Sequence, residues 1–263
     1  MAIRARLDAE LVRRGLARSR QQAAELIGAG RVAVRGVRAA KPATVVDRDT
    51  PLVVTESDEP QWASRGAHKL IGALDAFGLP ADGLRCLDAG ASTGGFTDVL
   101  LARGAAEVVA VDVGYGQLDW RLRSDPRVRV HDRTNVRALT PDDIGGPADL
   151  TVADLSFISL RTVLPALIAC TTPEGTLLPM VKPQFEVGRE RLGSGGVVRD
   201  PSLRRAALVE VVAAARAQGL ALRGAVASPL PGPSGNVEFF LWLDRRGPDV
   251  DDAVLGAAVE AGP

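Results

Sequence analysis

Aromatic residues make up only 4% of this 263-residue chain, so its 46% hydrophobic residues must build a core mainly from Ala, Val and Leu. Such a composition suits helices packed on a parallel sheet. The two cysteines, Cys86 and Cys170, stand too far apart to make a metal-ligand spacing and are expected as buried thiols. Metal catalysis therefore has no support in the sequence. No apolar run approaches the length of a membrane span, and the N-terminus has no signal-peptide apolar region; the expectation is a cytoplasmic protein with no membrane partner. Net charge is also lacking, since 32 basic residues balance 32 acidic ones. The balance conceals an asymmetry. Residues 1–41 hold ten Arg or Lys against three acids, a net of +7, and the remainder holds 22 against 29, a net of −7. A basic module on an acidic body points to a polyanion partner.

The stretch CLDAGASTGGF, Cys86 to Phe96, joins a buried apolar run to a glycine-lined turn and then a helix. Gly90, Gly94 and Gly95 permit backbone angles and close approaches that a Cβ would block, so a ligand is expected against this turn. The spacing is G-x-x-x-G-G and not the G-x-G-x-x-G of dinucleotide enzymes. It suits a nucleoside without a pyrophosphate.

Before this turn, apolar positions at helical spacing predict two short helices, the second capped by Ser19 and stopped by Gly28 and Gly30. Strand-like alternation follows at Val32 and Val34 and again between Pro42 and Glu59. The expected domains are a small basic domain at 1–59, a linker at 60–64 holding Trp62, and a larger domain at 65–263. The larger domain opens with a helix from Arg65 to Gly78. Core strands are expected to end near Asp112, at Val128 to Asp132, at Leu150 to Leu155, at Gly175 to Val181 and in NVEFFLWL, with an amphipathic helix from Arg204 to Gln218. Alternating strands and helices predict one parallel sheet. Asp154, Lys182 and the Gly90 loop should then converge at one sheet edge, with Lys69 and Glu238 beside them.

The N-terminal module resembles the small RNA-binding domain of ribosomal small-subunit protein four, through Leu7, Asp8, Gly15, Ser19, Arg20, Ala23, Ile27, Gly30, Val32, Val34 and Gly36, followed by Lys41 and Pro42. Arg6, Arg14, Arg18, Arg20 and Lys41 are its expected phosphate contacts, the arginines offering a planar fork of donors. The whole chain resembles the TlyA, or haemolysin A, family, whose larger domain is similar to the FtsJ-type RNA ribose methyltransferases. SRGAHKL, LDAGASTGGFTDVLL, VDVGYGQL, ADLSFISL, VKPQFEVG and SPLPGPSGNVEFFLWL carry the resemblance.

The resemblance implies an α/β, Rossmann-like methyltransferase domain behind a small α+β RNA-binding domain. It implies S-adenosylmethionine as cofactor, and methylation of a cytidine 2′-hydroxyl in 16S and 23S rRNA within ribosomal subunits. A monomer is expected. The family's Lys-Asp-Lys-Glu tetrad falls on Lys69, Asp154, Lys182 and Glu238. Lys182 takes the central place, either as a neutral base or as a charged donor that steers the oxygen. Cofactor contacts are expected from Asp88, Gly90, Gly94, Gly95, Phe96, Asp112 and Asn135, with Asp112 on the ribose diol. Phe157 is expected either as a buried ring or as a stacking platform for an extruded nucleotide, which Ser234 would orient. Three other readings compete: an NAD(P)-dependent oxidoreductase, a non-catalytic ribosome-assembly factor, and a membrane-acting haemolysin.

Overall fold

The computed structural model describes residues 4–17, 19–55 and 62–262, which fall into two compact units divided between Gln61 and Trp62. Among the described residues no helix is long and apolar enough to cross a membrane.

The first unit begins with β1 (Arg4–Arg6), α1 (Leu7–Arg13) and α2 (Arg20–Gly28). Ser19 Oγ accepts the Gln22 N–H at 3.1 Å and caps α2, as its position before the apolar repeat predicts. After α2 come β2 (Val32–Val34), β3 (Val37–Arg38), β4 (Val45–Asp47) and β5 (Leu52–Val54). β2 pairs antiparallel with β3 and β5, and β1 pairs with β4. The short β1 and β3 carry too few residues to show a period and escape the sequence reading. Arg35 and Gly36 join β2 to β3 with φ of 51° and 80°, the two left-handed residues of a tight hairpin turn. Leu7, Leu11, Ala23, Ile27, Val32 and Val46 form the core.

Two buried carboxylates organise the basic face of this unit. Asp8 accepts from Arg6 at 2.9 Å and Arg20 at 3.0 Å, and these bonds hold it well below the usual carboxylate range. Glu10 accepts from Arg13 at 2.6 Å and Arg14 at 2.7 Å, and is held down at about 2 by those guanidiniums. Both depressed groups stabilise the fold above their unfolded values and lose that contribution as the pH falls through the folded ones. Amide exchange in the intact chain should therefore show residues 7–28 losing protection as the pH drops from 4.5 toward about 2. In Asp8→Asn/Glu10→Gln protein that acid-dependent loss should be largely absent. A loss of the same size in the double variant would assign it to other groups.

The second unit carries a seven-stranded mixed sheet in the order β11-β12-β10-β9-β6-β7-β8. Its elements are α3 (Gly66–Phe77), β6 (Arg85–Ala89), α4 (Gly95–Ala102), β7 (Glu107–Val111), α5 (Trp120–Arg123) and β8 (Val128–His131). Then come β9 (Ala148–Ala153), α6 (Leu160–Ala169), β10 (Thr171–Val181), α7 (Pro183–Glu186), α8 (Pro201–Arg216), β11 (Ala221–Ala227), β12 (Phe239–Asp244) and α9 (Ala253–Glu260). Alternate residues of β6 serve opposite cores. Leu87 and Ala89 face the layer of α6, α8 and α9, while Cys86 faces that of α3, α4 and α5.

The alternation of elements predicts one parallel sheet, and the sheet is mixed instead. β12 runs antiparallel to both β10 and β11, because no crossover helix separates β11 from β12. Residues 62–64, expected as linker, pack with the larger unit. Trp62 and Ala63 lie against the α3–α4 core, and Ala63 N–H donates to Asp98 Oδ2 at 2.8 Å.

Candidate active site

Strand order reverses at β6: the chain passes outward to β7 and β8 on one side and to β9 and β10 on the other. A crevice therefore opens at the carboxyl ends of β6 and β9, where doubly wound sheets bind ligands. The glycine turn sits here. Gly90 and Gly94 have φ of 91° and 99°, values that favour glycine.

Packing also demands these glycines. A Cβ on Gly90 would lie 2.4 Å from the Asp154 carbonyl oxygen, one on Gly94 2.3 Å from Leu122 Cδ1, and one on Gly95 2.2 Å from Ser64 Oγ and 3.0 Å from Ala67 N. The expected ligand approach is thus, at these Cβ positions, an approach of chain to chain. Residues 64–67 pack against the first turn of α4.

Asp88 and Phe96 lie away from the crevice. Asp88 is fully buried, accepts from Thr97 Oγ1 at 2.7 Å, and is pushed up to about 7 by burial. Phe96 is buried with its ring 5.9 Å from that of Phe240. Both support the turn from beneath. Asp112 is half-buried just past β7, with Oδ2 accepting Ser92 N–H at 2.8 Å and Oδ1 accepting Gly114 N–H at 2.7 Å. Each oxygen keeps a lone pair for a further donor. Asn135 is exposed, and its Oδ1 caps a short turn by accepting Arg137 N–H at 3.0 Å.

Lys69, Asp154, Lys182 and Glu238 resolve into two ion pairs. Lys69 on α3 donates to Glu238 Oε2 at 2.6 Å, with Glu238 fully buried. Lys182 Nζ lies 2.6 Å from Asp154 Oδ1 and donates to Ser156 Oγ at 2.9 Å. Asp154 and Lys182 directly follow parallel strands β9 and β10, and Glu238 directly precedes antiparallel β12. Val181 pairs with Phe239, so Lys182 and Glu238 are neighbours at the same sheet edge. The antiparallel strand is what brings a residue at a strand's start to the ends of the others.

Sequence reasoning missed two members of this arrangement. Ser156 carries the second contact to Lys182, and a serine three residues beyond a strand has no distinguishing spacing. Gly232 has its Cβ position 2.2 Å from Glu238 Oε1, so only glycine admits the carboxylate there.

Phe157 is 91% exposed, with φ of 64° and its ring 5.4 Å from that of Phe185. The buried-ring expectation for Phe157 fails. Ser234 is also exposed, and its φ is also 64°. Left-handed backbone at non-glycine residues costs roughly 1–3 kcal/mol and concentrates at functional loops.

In the first unit, Arg6 and Arg20 share Asp8 while remaining half or more exposed, and Lys41 is exposed. Arg14 is different. Beyond Glu10, its terminal nitrogens donate to the carbonyls of Asp47, Arg48 and Thr50, so it clamps the fold and has few donors left for phosphate. Arg18 lies outside the described residues.

Residues 62–245 match the FtsJ-like methyltransferase family and residues 5–50 match the S4 domain. The 16S/23S rRNA (cytidine-2'-O)-methyltransferase TlyA of Mycobacterium tuberculosis is 65% identical over 92% of this chain and 91% of its own length. Hemolysin A of Brachyspira hyodysenteriae is 35% identical over 89% of this chain and 97% of its own. The solved structure of a provisional hemolysin from Streptococcus thermophilus superposes with a TM-score of 0.77 at 38% identity, covering 99% of this chain and 96% of that one. Matched along nearly its whole length by these relatives, and over residues 62–245 by the family pattern, the chain belongs to the FtsJ-like methyltransferase family, in the group that includes TlyA.

Proposed function

We propose that this protein methylates cytidine 2′-hydroxyls of 16S and 23S rRNA, with S-adenosylmethionine as methyl donor. The observation that carries the reading is the lysine held by Asp154 and Ser156 at the sheet edge, beside the glycine turn. When bound, the cofactor supplies a sulfonium methyl that is already activated. The residues present fit it. Asp112 offers acceptor capacity to the ribose diol, and Ser92, which Asp112 holds, is exposed toward solvent for the remainder of a nucleoside. A cytoplasmic protein acting on ribosomal subunits follows from the same reading.

The chain's own task is to bring a weakly acidic hydroxyl into line and assist loss of its proton. Lys182 is anchored by Asp154 and Ser156, and in this reading it is the group that meets the 2′-oxygen. Lys69 and Glu238 form a rigid, charge-balanced wall next to it. Phe157 offers a face on which an extruded base stacks, and Ser234 a hydroxyl to orient it. Arg6, Arg20 and Lys41 supply phosphate contacts that set the enzyme on the RNA.

Mass mapping of rRNA after incubation with protein and cofactor tests the proposal. A mass gain of one methyl at cytidine ribose supports it; unmodified rRNA from both subunits overturns it. A second test isolates the cofactor site. Asp112→Ala should weaken S-adenosylhomocysteine binding, measured by calorimetry, by roughly 1.5–3 kcal/mol, the worth of hydrogen bonds to a charged group. Unchanged affinity would remove Asp112 from the cofactor's surroundings.

A further inference from the structure

Glu186 is 3% exposed, and its carboxylate is directed at the loop leading into α6. Oε1 accepts the Leu160 N–H at 2.7 Å, one of the amides that α6 leaves without an intrahelical partner. Oε2 accepts the Ser159 hydroxyl at 2.6 Å and lies 3.4 Å from Arg161 Nε. The Glu186 carbonyl in turn accepts from the Arg161 guanidinium at 3.2 Å.

Four residues earlier, Lys182 holds the other end of the same loop through Asp154 and Ser156. Residues 182–186 therefore bracket residues 154–160 from both ends. Phe157 stands between the two attachments, exposed and in left-handed backbone, with Phe185 of the bracketing segment beside its ring. A strained, exposed aromatic persists only where its surroundings over-determine it. The two bonds accepted by Glu186 are charge-assisted, and the one from Leu160 N–H is buried, which makes them strong enough for that role.

We propose that Glu186 is a positioning residue for the reaction: it fixes the loop so that Phe157 presents its ring to the incoming nucleotide while Lys182 keeps its partners. The inference rests on the reading of Phe157 as a stacking platform. Removing the carboxylate frees the loop between Asp154 and α6, Phe157 relaxes from its left-handed backbone, and the RNA loses a preformed surface. The bonds that hold Asp112, from Ser92 and Gly114, do not involve this loop, so cofactor binding there is spared.

The test compares Glu186→Ala, Phe157→Ala and the double variant as full-length proteins on ribosomal subunits. It measures single-turnover methyl transfer, KM for the subunit, S-adenosylhomocysteine affinity and melting temperature. Glu186→Ala should lower kcat/KM for the subunit by roughly 10- to 100-fold, as expected for losing one or two bonds to a charged group, with cofactor affinity unchanged. The double variant should be no worse than the more damaging single, since both act through one ring. Where Glu186→Ala folds poorly, Ser159→Ala removes the hydroxyl partner of Oε2 together with the α6 cap that accepts the Arg161 N–H, and should show a smaller loss of the same kind. Multiplicative losses in the double variant, or normal turnover by folded Glu186→Ala, would overturn the inference while leaving the stacking reading standing. Normal turnover by Phe157→Ala would overturn the stacking reading, and the inference with it.

Discussion

Lys182→Ala should abolish methyl transfer, with single-turnover rates falling on the order of 10²-fold or more, while cofactor and rRNA affinities stay close to those of the parent. The expectation follows from where the side chain sits. Its Nζ is held by Asp154 and Ser156, at the end of a strand buried on both faces, so the amine is pinned before any substrate arrives. A group placed this way contributes to the transition state more than to ground-state binding. Truncation should also spare the fold, because the Asp154 side chain is 25% exposed and removal of the lysine opens its buried Oδ1 to water. Ser156→Ala should move in the same direction by a smaller step, since Asp154 would still hold the lysine. Rates, calorimetric affinities and melting temperatures measured on the same preparations decide the matter. Folded Lys182→Ala protein with near-normal turnover would sink the mechanism even if rRNA methylation by the parent stood.

The strand-turn-helix at Cys86 to Phe96 was legible because its apolar run, glycines and second apolar run each have a local cause. The same holds for Ser19 as a helix cap and for Asp154 and Lys182 as strand-end residues. Glu238 was reached through family resemblance, and its place at the edge depends on the antiparallel insertion of β12 between β10 and β11, a choice of topology that no local period encodes. The facing of individual residues was harder still. Asp88 and Phe96 belong to the motif yet point into the packing beneath it, because strand alternation and helix rotation decide direction while a motif records only order. Arg14 illustrates the limit for charge. In a basic segment it reads like Arg6 and Arg20, and only the fold shows its donors turned onto the carbonyls of a neighbouring turn. Phe157 erred the other way, since a large aromatic among apolar residues predicts burial and the ring stands exposed on its loop.

The Lys69–Glu238 pair should behave differently from Lys182, and the contrast separates structure from chemistry within one site. Glu238 is fully buried and Lys69 is 9% exposed, so neither charge can recover solvation when its partner is removed. Breaking a buried pair from one side typically costs about 3–5 kcal/mol, because an uncompensated charge is left in low dielectric. Glu238→Ala should therefore lower the melting temperature markedly as well as turnover, whereas Lys182→Ala should lower turnover alone. Replacing both members removes the stranded charge, and well-packed apolar replacements of a buried pair are often neutral or stabilising. Lys69→Met/Glu238→Leu should accordingly regain most of the lost melting temperature. If the pair serves only the fold, turnover should return with it. If Lys69 and Glu238 act on the reacting oxygen or on Lys182, turnover should stay low, by roughly 10²-fold or more, in a protein as stable as the parent. The decisive result is thus a rescued fold without a rescued rate. A stable, active double variant would remove Lys69 and Glu238 from the mechanism and leave Lys182 with Asp154 and Ser156 as its working centre.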